Sequence, residues 1–216
     1  ILLIGSSGQI GYELAQSLAN EFILISSASN KKIHIDLSLP ESIDRNINNL
    51  KPDLIINAAA YTEVDSAEEN INLAYSINSE SVGQIAKIAH KLDIPLIHYS
   101  SDYVFDGTEQ KPKSEKSKVN PLSIYGKSKL EGEKNIIKSS CKFVILRTSW
   151  VYSSRRNNFL KTILKLSDEK KSLRIINDQI STPTSARFLS NITHMIIKDI
   201  FTNKNFEYGI YNCVPE

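Results

Sequence analysis

Two cysteines, one methionine, one tryptophan and four histidines are all that the 216 residues hold of those types. Cys141 and Cys213 cannot build a disulfide framework, so the sequence predicts a chain that works in a reducing cytoplasm. His34, His90, His98 and His194 are scattered, without metal-ligand spacing. Charge of one sign is scarce too. Against 24 acidic residues stand 26 basic ones, a net charge of +2. That balance gives no reason to expect nucleic acid or an anionic membrane as partner. No apolar run approaches the ~20 residues that cross a bilayer. Ile1-Leu2-Leu3-Ile4 lacks the basic flank and cleavage site of a signal peptide. The one methionine is Met195, and the last strand signal, Tyr208–Val214, runs almost to the final residue. The expectation is a piece of a longer protein, with something before Ile1 and a C-terminal part beyond Glu216.

What is present alternates between strand and helix signals. Ile1–Ile4, Phe22–Ile25, Asp53–Asn57, Pro95–Tyr99 and Lys142–Arg147 are short apolar runs. Between them lie helical spacings over Ile10–Ala19, Pro40–Leu50, Ile71–Leu92 and Pro121–Ser139. Continuous apolar runs suit strands covered on both faces. The alternation predicts right-handed βαβ units and an α/β doubly wound parallel sheet. Glu109–Lys118 is a polar, Lys-rich surface connection.

Two motifs carry chemistry. Gly5-Ser6-Ser7-Gly8-Gln9-Ile10-Gly11 follows the first strand and opens the first helix. Gly5 permits a sharp turn, Gly8 lets backbone approach a pyrophosphate, and Gly11 lets the helix pack close to the sheet. Far along the chain, Tyr125 and Lys129 stand four apart and share a helix face. A phenol with a pKa of ~10 is a poor acid–base catalyst, and a nearby ammonium is expected to lower it. Ser101, at the end of the fourth strand, presents a hydroxyl to the same oxygen that Tyr125 protonates. Together these residues predict hydride chemistry on a Rossmann fold with a nicotinamide cofactor. The second strand continues into Ser26-Ser27 without an acid at its tip, and Lys31 and Lys32 follow. An acid there would repel the 2′-phosphate of NADP, so NADPH is expected to serve at least as well as NADH. Asp36 reads either as an adenine contact or as a turn aspartate. Trp150 reads either as a substrate contact or as core.

These residues resemble the extended short-chain dehydrogenase/reductase family over nearly the whole chain. The most specific stretches are Asn57–Glu68, His98–Gly107, Asn120–Glu133 and Arg147–Tyr152, with Ile176–Gln179 and Pro183-Thr184. The resemblance implies that Gly8, Gln9 and Ile10 touch the pyrophosphate, within the Gly5–Gly11 turn. It implies further cofactor contacts at Asp36, Leu37, Ala60, Tyr61, Thr62 and Tyr99, with Tyr125 and Lys129 at the nicotinamide end. Ser101, Tyr125 and Lys129 become the catalytic set, Ser101 standing where the family has threonine. Ser101, Asp102 and Trp150 would meet a dTDP-linked sugar, whose C4 ketone is reduced on the way to cell-surface polysaccharide. Residues 1–151 would form the NAD(P)-binding domain, and 152–216 a partial substrate lobe interleaved with the sheet and incomplete at its C-terminal end. A homodimer, and a Mg²⁺ ion that no residue of this chain supports, also come with the family.

Single residues separate this chain from related chemistries. Asp102 is followed by Tyr103, so the Asp-Glu pair of the sugar-nucleotide dehydratases is absent. No cysteine stands near that strand end, as it does in the epimerising reductases that make GDP-fucose. Ser181-Thr182 before Pro183 departs from the family's Gly followed by Ala or Ser. Two alternatives stay open: an NADP-binding regulatory subunit like that of methionine adenosyltransferase, and another nucleotide-sugar reductase or epimerase.

Overall fold

The computed structural model describes residues 1–28, 33–109, 111–175 and 177–216. Six strands form one parallel sheet: β1 (Leu2–Ile4), β2 (Ile25–Ser27), β3 (Ile55–Asn57), β4 (Leu96–Ser101), β5 (Phe143–Thr148) and β8 (Gly209–Asn212). Their order across the sheet is β2-β1-β3-β4-β5-β8. The chain goes outward from β1 to β2, then returns past β1 to β3 and builds the other half. At that reversal the connections after β1 and β3 leave on opposite faces. A crevice therefore opens at the carboxyl ends of these two strands, where Ile4 pairs with Asn57.

Strand residues alternate between two cores. Leu2, Ile4, Ile55, Leu96 and Ile145 face one side, under helices α2 (Pro40–Leu50), α5 (Ser81–Leu92) and α6 (Ile124–Ser139). Leu3, Ile56, Ile97, Val144 and Leu146 face the other, over α1 (Gln9–Leu18) and α8 (Ala186–Thr202). Both faces are covered, which is why the strands read as unbroken apolar runs. The two lower helices are tied by a hydroxyl pair, Ser17 Oγ to Ser190 Oγ at 2.8 Å. The remaining elements are the short helices α3 (Val64–Ala67) and α4 (Ile71–Tyr75), helix α7 (Phe159–Glu169), and a two-stranded sheet of β6 (Val151–Tyr152) and β7 (Thr184–Ser185).

Three elements depart from the sequence expectation by more than two residues at an end or by an interruption. The second strand starts at Ile25, not Phe22. It is the sheet's edge, and its register with β1 begins at Leu2 and Ile25, leaving Ile23 89% exposed. The helix expected over Ile71–Leu92 is interrupted by a π-helical turn, Ser76–Glu80. The helix expected from Pro121 begins at Ile124, because the Ser123 side chain caps it by accepting Gly126 N–H at 3.1 Å.

Candidate active site

The glycine turn holds two kinds of glycine. Gly5 has φ +83°, and a Cβ on it would lie 2.7 Å from Ala59 N. A Cβ on Gly11 would lie 2.1 Å from Gly5 O. The fold itself requires both. Gly8 is different: the nearest protein atom to its Cβ would be Gly5 O at 3.3 Å, and the next lies 3.9 Å away. Its bare backbone borders open space in the β1/β3 crevice. Gly8 is also the N-cap of α1, with no side-chain cap and no acidic residue in the first turn. Among the described residues no backbone carbonyl accepts the N–H groups of Gln9, Ile10 and Gly11. Free donors, a positive helix end and a missing Cβ fit a diphosphate. The Gln9 side chain serves the wall of the crevice. Its amide donates to Val151 O and accepts from Ser153 Oγ and Asn158 Nδ2 at 3.3, 3.1 and 2.9 Å.

At the adenosine end the tip of β2 is Ser27, whose carbonyl accepts from Gly5 N and Ser6 N. No carboxylate stands there. Lys31 and Lys32 lie outside the described residues, as does Ile176 of the stretch beyond α7. Asp36 Oδ1 accepts from Ser38 N and Ser38 Oγ at 2.9 and 2.7 Å, and these bonds hold its carboxyl below the usual range. The carboxylate is thus engaged in a turn. Leu37 is core, packed with Ile43 and Ile47. Ala60, Tyr61 and Thr62 leave β3 along the crevice, and a residue that the sequence reading passed over clamps them. Asn78, 1% exposed in the π turn, accepts Tyr61 N–H at 2.9 Å and donates to Tyr61 O at 3.0 Å and Ser128 Oγ at 3.1 Å. It fixes the loop after β3 to the helix that carries Tyr125. Gly132 makes room for this, since a Cβ there would lie 2.2 Å from Asn78 O.

The catalytic candidates meet at the carboxyl end of β4. Ser101 ends the strand, and its hydroxyl donates to Asp102 Oδ1 at 3.1 Å. Tyr125 lies in the first turn of α6, edge-to-face with Tyr103 at 5.4 Å. Lys129 is 2% exposed, and its ammonium donates to Tyr99 O at 2.7 Å. Tyr99 therefore serves through its carbonyl. Its ring points to the other face of the sheet, where its hydroxyl pairs with Thr193 Oγ1 at 2.6 Å. Burial pulls the Lys129 pKa down to about 8, against the opposing charge of Glu133. Burial pushes Tyr125 up to about 12; the Ser101 hydroxyl works against this, and the Asp102 and Tyr103 charges add to it. The expectation that Lys129 lowers the tyrosine is corrected here. Lys129 spends its charge on Tyr99 O, and desolvation of the phenolate dominates at Tyr125. A neutral Tyr125 across the working pH range suits a proton donor.

Neighbouring groups hold this set in place. Arg147 on β5 forms a bidentate pair with Glu133 on α6, at 2.9 and 2.6 Å, both side chains buried. The pair locks the lysine's helix against the sheet. Asp102 Oδ2 accepts from Ser181 Oγ at 2.8 Å, and Ser149 Oγ donates to Thr182 O at 2.6 Å. The departure at Ser181-Thr182 thus makes a defined contact. Burial raises the Asp102 carboxyl despite the Ser181 and Ser101 bonds. Trp150 has φ +43°, a left-handed conformation uncommon for a bulky side chain, and packs edge-to-face on Phe159 at 4.7 Å. His98, 1% exposed, was unassigned by sequence and lies beside Lys129. Among the described residues no group of three His, Cys, Asp or Glu side chains is placed to hold a metal.

The sequence profile of the RmlD substrate binding domain family matches residues 1–216. A dTDP-4-dehydrorhamnose reductase of Salmonella typhimurium is 43% identical over 99% of this chain and 72% of its own length. A crystal structure of a dTDP-4-dehydrorhamnose reductase from Clostridium acetobutylicum superimposes with a TM-score of 0.90 at 34% identity, covering 100% of this chain and 74% of that one. The Bacillus anthracis reductase, solved in complex with NADP, gives a TM-score of 0.88 at 33% identity, with coverage of 100% and 74%.

Proposed function

The chain belongs to the RmlD substrate binding domain family, and from that premise we propose that it reduces the C4 ketone of dTDP-4-dehydrorhamnose, giving dTDP-L-rhamnose. The observation that carries this reading is the Ser101 hydroxyl beside Tyr125 at the carboxyl end of β4, with Lys129 anchored on Tyr99 O of the same strand and Tyr125 held protonated. A reduced nicotinamide, when bound, supplies the hydride. Tyr125 gives its phenolic proton to the ketone oxygen as charge develops there. The Ser101 hydroxyl holds the same oxygen in place. Lys129, anchored on Tyr99 O, stands behind the tyrosine and meets the cofactor's ribose. The free N–H groups of Gln9, Ile10 and Gly11 hold the diphosphate over Gly8. Asp102, aimed by Ser181, and Trp150, held by its strained backbone and by Phe159, position the sugar.

NADPH or NADH is the proposed cofactor. NADPH is favoured because Ser27 offers no carboxylate against a 2′-phosphate. Residues 1–151 are proposed as the cofactor domain and 152–216 as part of the substrate lobe, with β8 and α8 returning into the sheet. No helix of the described residues is long and apolar enough to cross a membrane. A homodimer working in the cytoplasm, without nucleic-acid or membrane partner, completes the proposal.

The test is a spectrophotometric assay of NADPH and NADH oxidation with dTDP-4-dehydrorhamnose. Turnover that forms dTDP-L-rhamnose is expected. Protein that binds NADPH yet oxidises it with no nucleotide-linked 4-keto sugar would sink the enzyme reading in favour of a regulatory subunit.

A further inference from the structure

His98 is buried against Lys129, and the mechanism above leaves it idle. Its surroundings fix which ring nitrogen carries the proton. The backbone N–H of Ala59 can only donate. It donates to Asn57 Oδ1 at 3.2 Å. The Asn57 amide is thereby oriented, and its Nδ2 turns to His98 Nδ1 at 3.2 Å. An amide nitrogen also only donates, so Nδ1 must accept. Burial and the neighbouring lysine hold His98 neutral, so its single proton sits on the other nitrogen. That nitrogen, Nε2, faces Lys129 Nζ at 3.4 Å.

We infer that His98 is a positioning residue for Lys129, held as the Nε2–H tautomer so that it presents a hydrogen-bond donor to the lysine nitrogen. Tyr99 O accepts from Lys129 on one side, and His98 donates toward it on the other. An amine satisfies both neighbours, because it has hydrogens for Tyr99 O and a lone pair for His98. An ammonium satisfies only Tyr99 O. The network therefore favours a lysine that releases its proton readily. In the proposed reaction Tyr125 gives up one proton per product, breaking its O–H bond as the alcohol O–H forms. The site must then be recharged. A proton leaving the Lys129 ammonium reprotonates the phenolate, and solvent returns the proton to the amine.

The other groups facing Lys129 do not reproduce this effect. Glu133, on its own helix, favours the ammonium and is itself engaged by Arg147 from β5. Tyr125, also on that helix, is neutral, and Asp102 beyond β4 lies in bonds with Ser101 and Ser181. The chain from Ala59 through Asn57 and His98 also links Lys129 to the cofactor loop.

This inference rests on the reductase reading for its catalytic meaning, but its first test does not. Nitrogen-15 NMR of the histidine-labelled protein at neutral pH should show His98 protonated at Nε2 and bare at Nδ1. A proton on Nδ1 would overturn the inference whether or not the protein reduces any sugar. The second test is kinetic. In wild type, kcat/KM should fall on an alkaline limb near pH 8. His98→Phe removes the donor and should move that limb up by about one pH unit. An unmoved or lowered limb counts against the inference. Should that variant fail to fold, Asn57→Asp keeps the shape, accepting from Ala59 N–H and from His98 Nδ1–H alike. It should reverse the tautomer in the NMR spectrum, and retention of Nε2–H in that variant would overturn the inference as well. The expected tautomer in a protein without ketone-dependent turnover would instead refute the reductase reading alone.

Discussion

Gly8→Ala separates what the fold needs from what the cofactor needs. A methyl group at this position meets Gly5 O at 3.3 Å and nothing else closer than 3.9 Å. The backbone there is extended, with φ −73° and ψ 176°, a conformation alanine adopts freely. Alanine is a poorer N-cap than glycine by a fraction of a kcal/mol, and the stiffer unfolded chain returns about 0.4–1 kcal/mol. These terms nearly cancel once Gly5 O gives way by a few tenths of an ångström, so Tm should stay within about 3 °C of wild type. Cofactor binding should not survive so well. The methyl group occupies the space over which a diphosphate reaches the N–H groups of Gln9, Ile10 and Gly11. Hydrogen bonds to a charged group contribute ~1.5–3 kcal/mol each. Losing one or two costs about 2–4 kcal/mol, or roughly 30- to 1,000-fold in NADPH affinity. Fluorescence titration with NADPH, beside a thermal melt, reads both quantities. Gly11→Ala is the contrast, since its Cβ would lie 2.1 Å from Gly5 O and should destabilise the protein outright. An NADPH Kd in Gly8→Ala within twofold of wild type would refute the assignment of the crevice to the diphosphate.

Tyr125→Phe should lower kcat by ~10²-fold or more and leave NADPH affinity nearly intact, because it removes a proton donor and no phosphate ligand. Wild-type turnover in single-turnover kinetics would remove Tyr125 from the mechanism. Ser181→Ala frees Asp102 Oδ2 and should raise KM for the sugar nucleotide by about tenfold, with NADPH affinity unchanged. Equal loss of both, or of neither, would dissociate Ser181 from the substrate side. Lys129 leaves a signature in stability. The folded protein holds the lysine's proton only up to about pH 8, and the unfolded chain up to its ordinary 10.5. Between those values the unfolded state binds more protons, so wild-type stability gains with rising pH. Measured by urea unfolding, wild type minus Lys129→Met should be flat below pH 8 and should rise from 8 to 10.5. A flat difference throughout would place the folded pKa of Lys129 at its ordinary value.

The parallel sheet was legible in the sequence because burial on both faces leaves strands with no polar alternation to interpret. Leu2–Ile4, Ile55-Ile56 and Val144–Leu146 read as unbroken apolar runs for that reason. The legibility fails at the edge. Phe22-Ile23-Leu24 is as apolar as any central strand, yet Ile23 is exposed and pairing starts at Ile25. Register with β1 decides this, and register is not written in composition. Helix α7 escaped notice for a different reason. None of its described residues is buried, and its apolar residues Phe159, Leu160 and Leu164 stay half exposed, with Phe159 meeting the Trp150 ring, so no run of core positions marks it out. The two-stranded sheet of β6 and β7 pairs residues more than thirty positions apart and only two per strand, too short for any periodicity to register.

The candidate site divides along the same line. Gly5, Gly8, Gly11, Tyr125 and Lys129 were readable because spacing within one turn or one helix fixes their relation. Asn57, Asn78 and His98 were not, since Asn57 pairs with His98, Asn78 with Tyr61 and Ser128, and His98 with Lys129, all brought near only by the fold. One local signal existed. Asn57 and His98 are polar side chains beside the apolar residues of strands β3 and β4, where burial without a partner costs ~1–3 kcal/mol. A buried amide or imidazole at such a position must find hydrogen-bond partners, and in this protein all three find them on the elements that hold the cofactor loop and the catalytic lysine. The sequence named the groups proposed to react. The buried polar residues that orient them are the ones whose chemistry depends on neighbours the sequence cannot place.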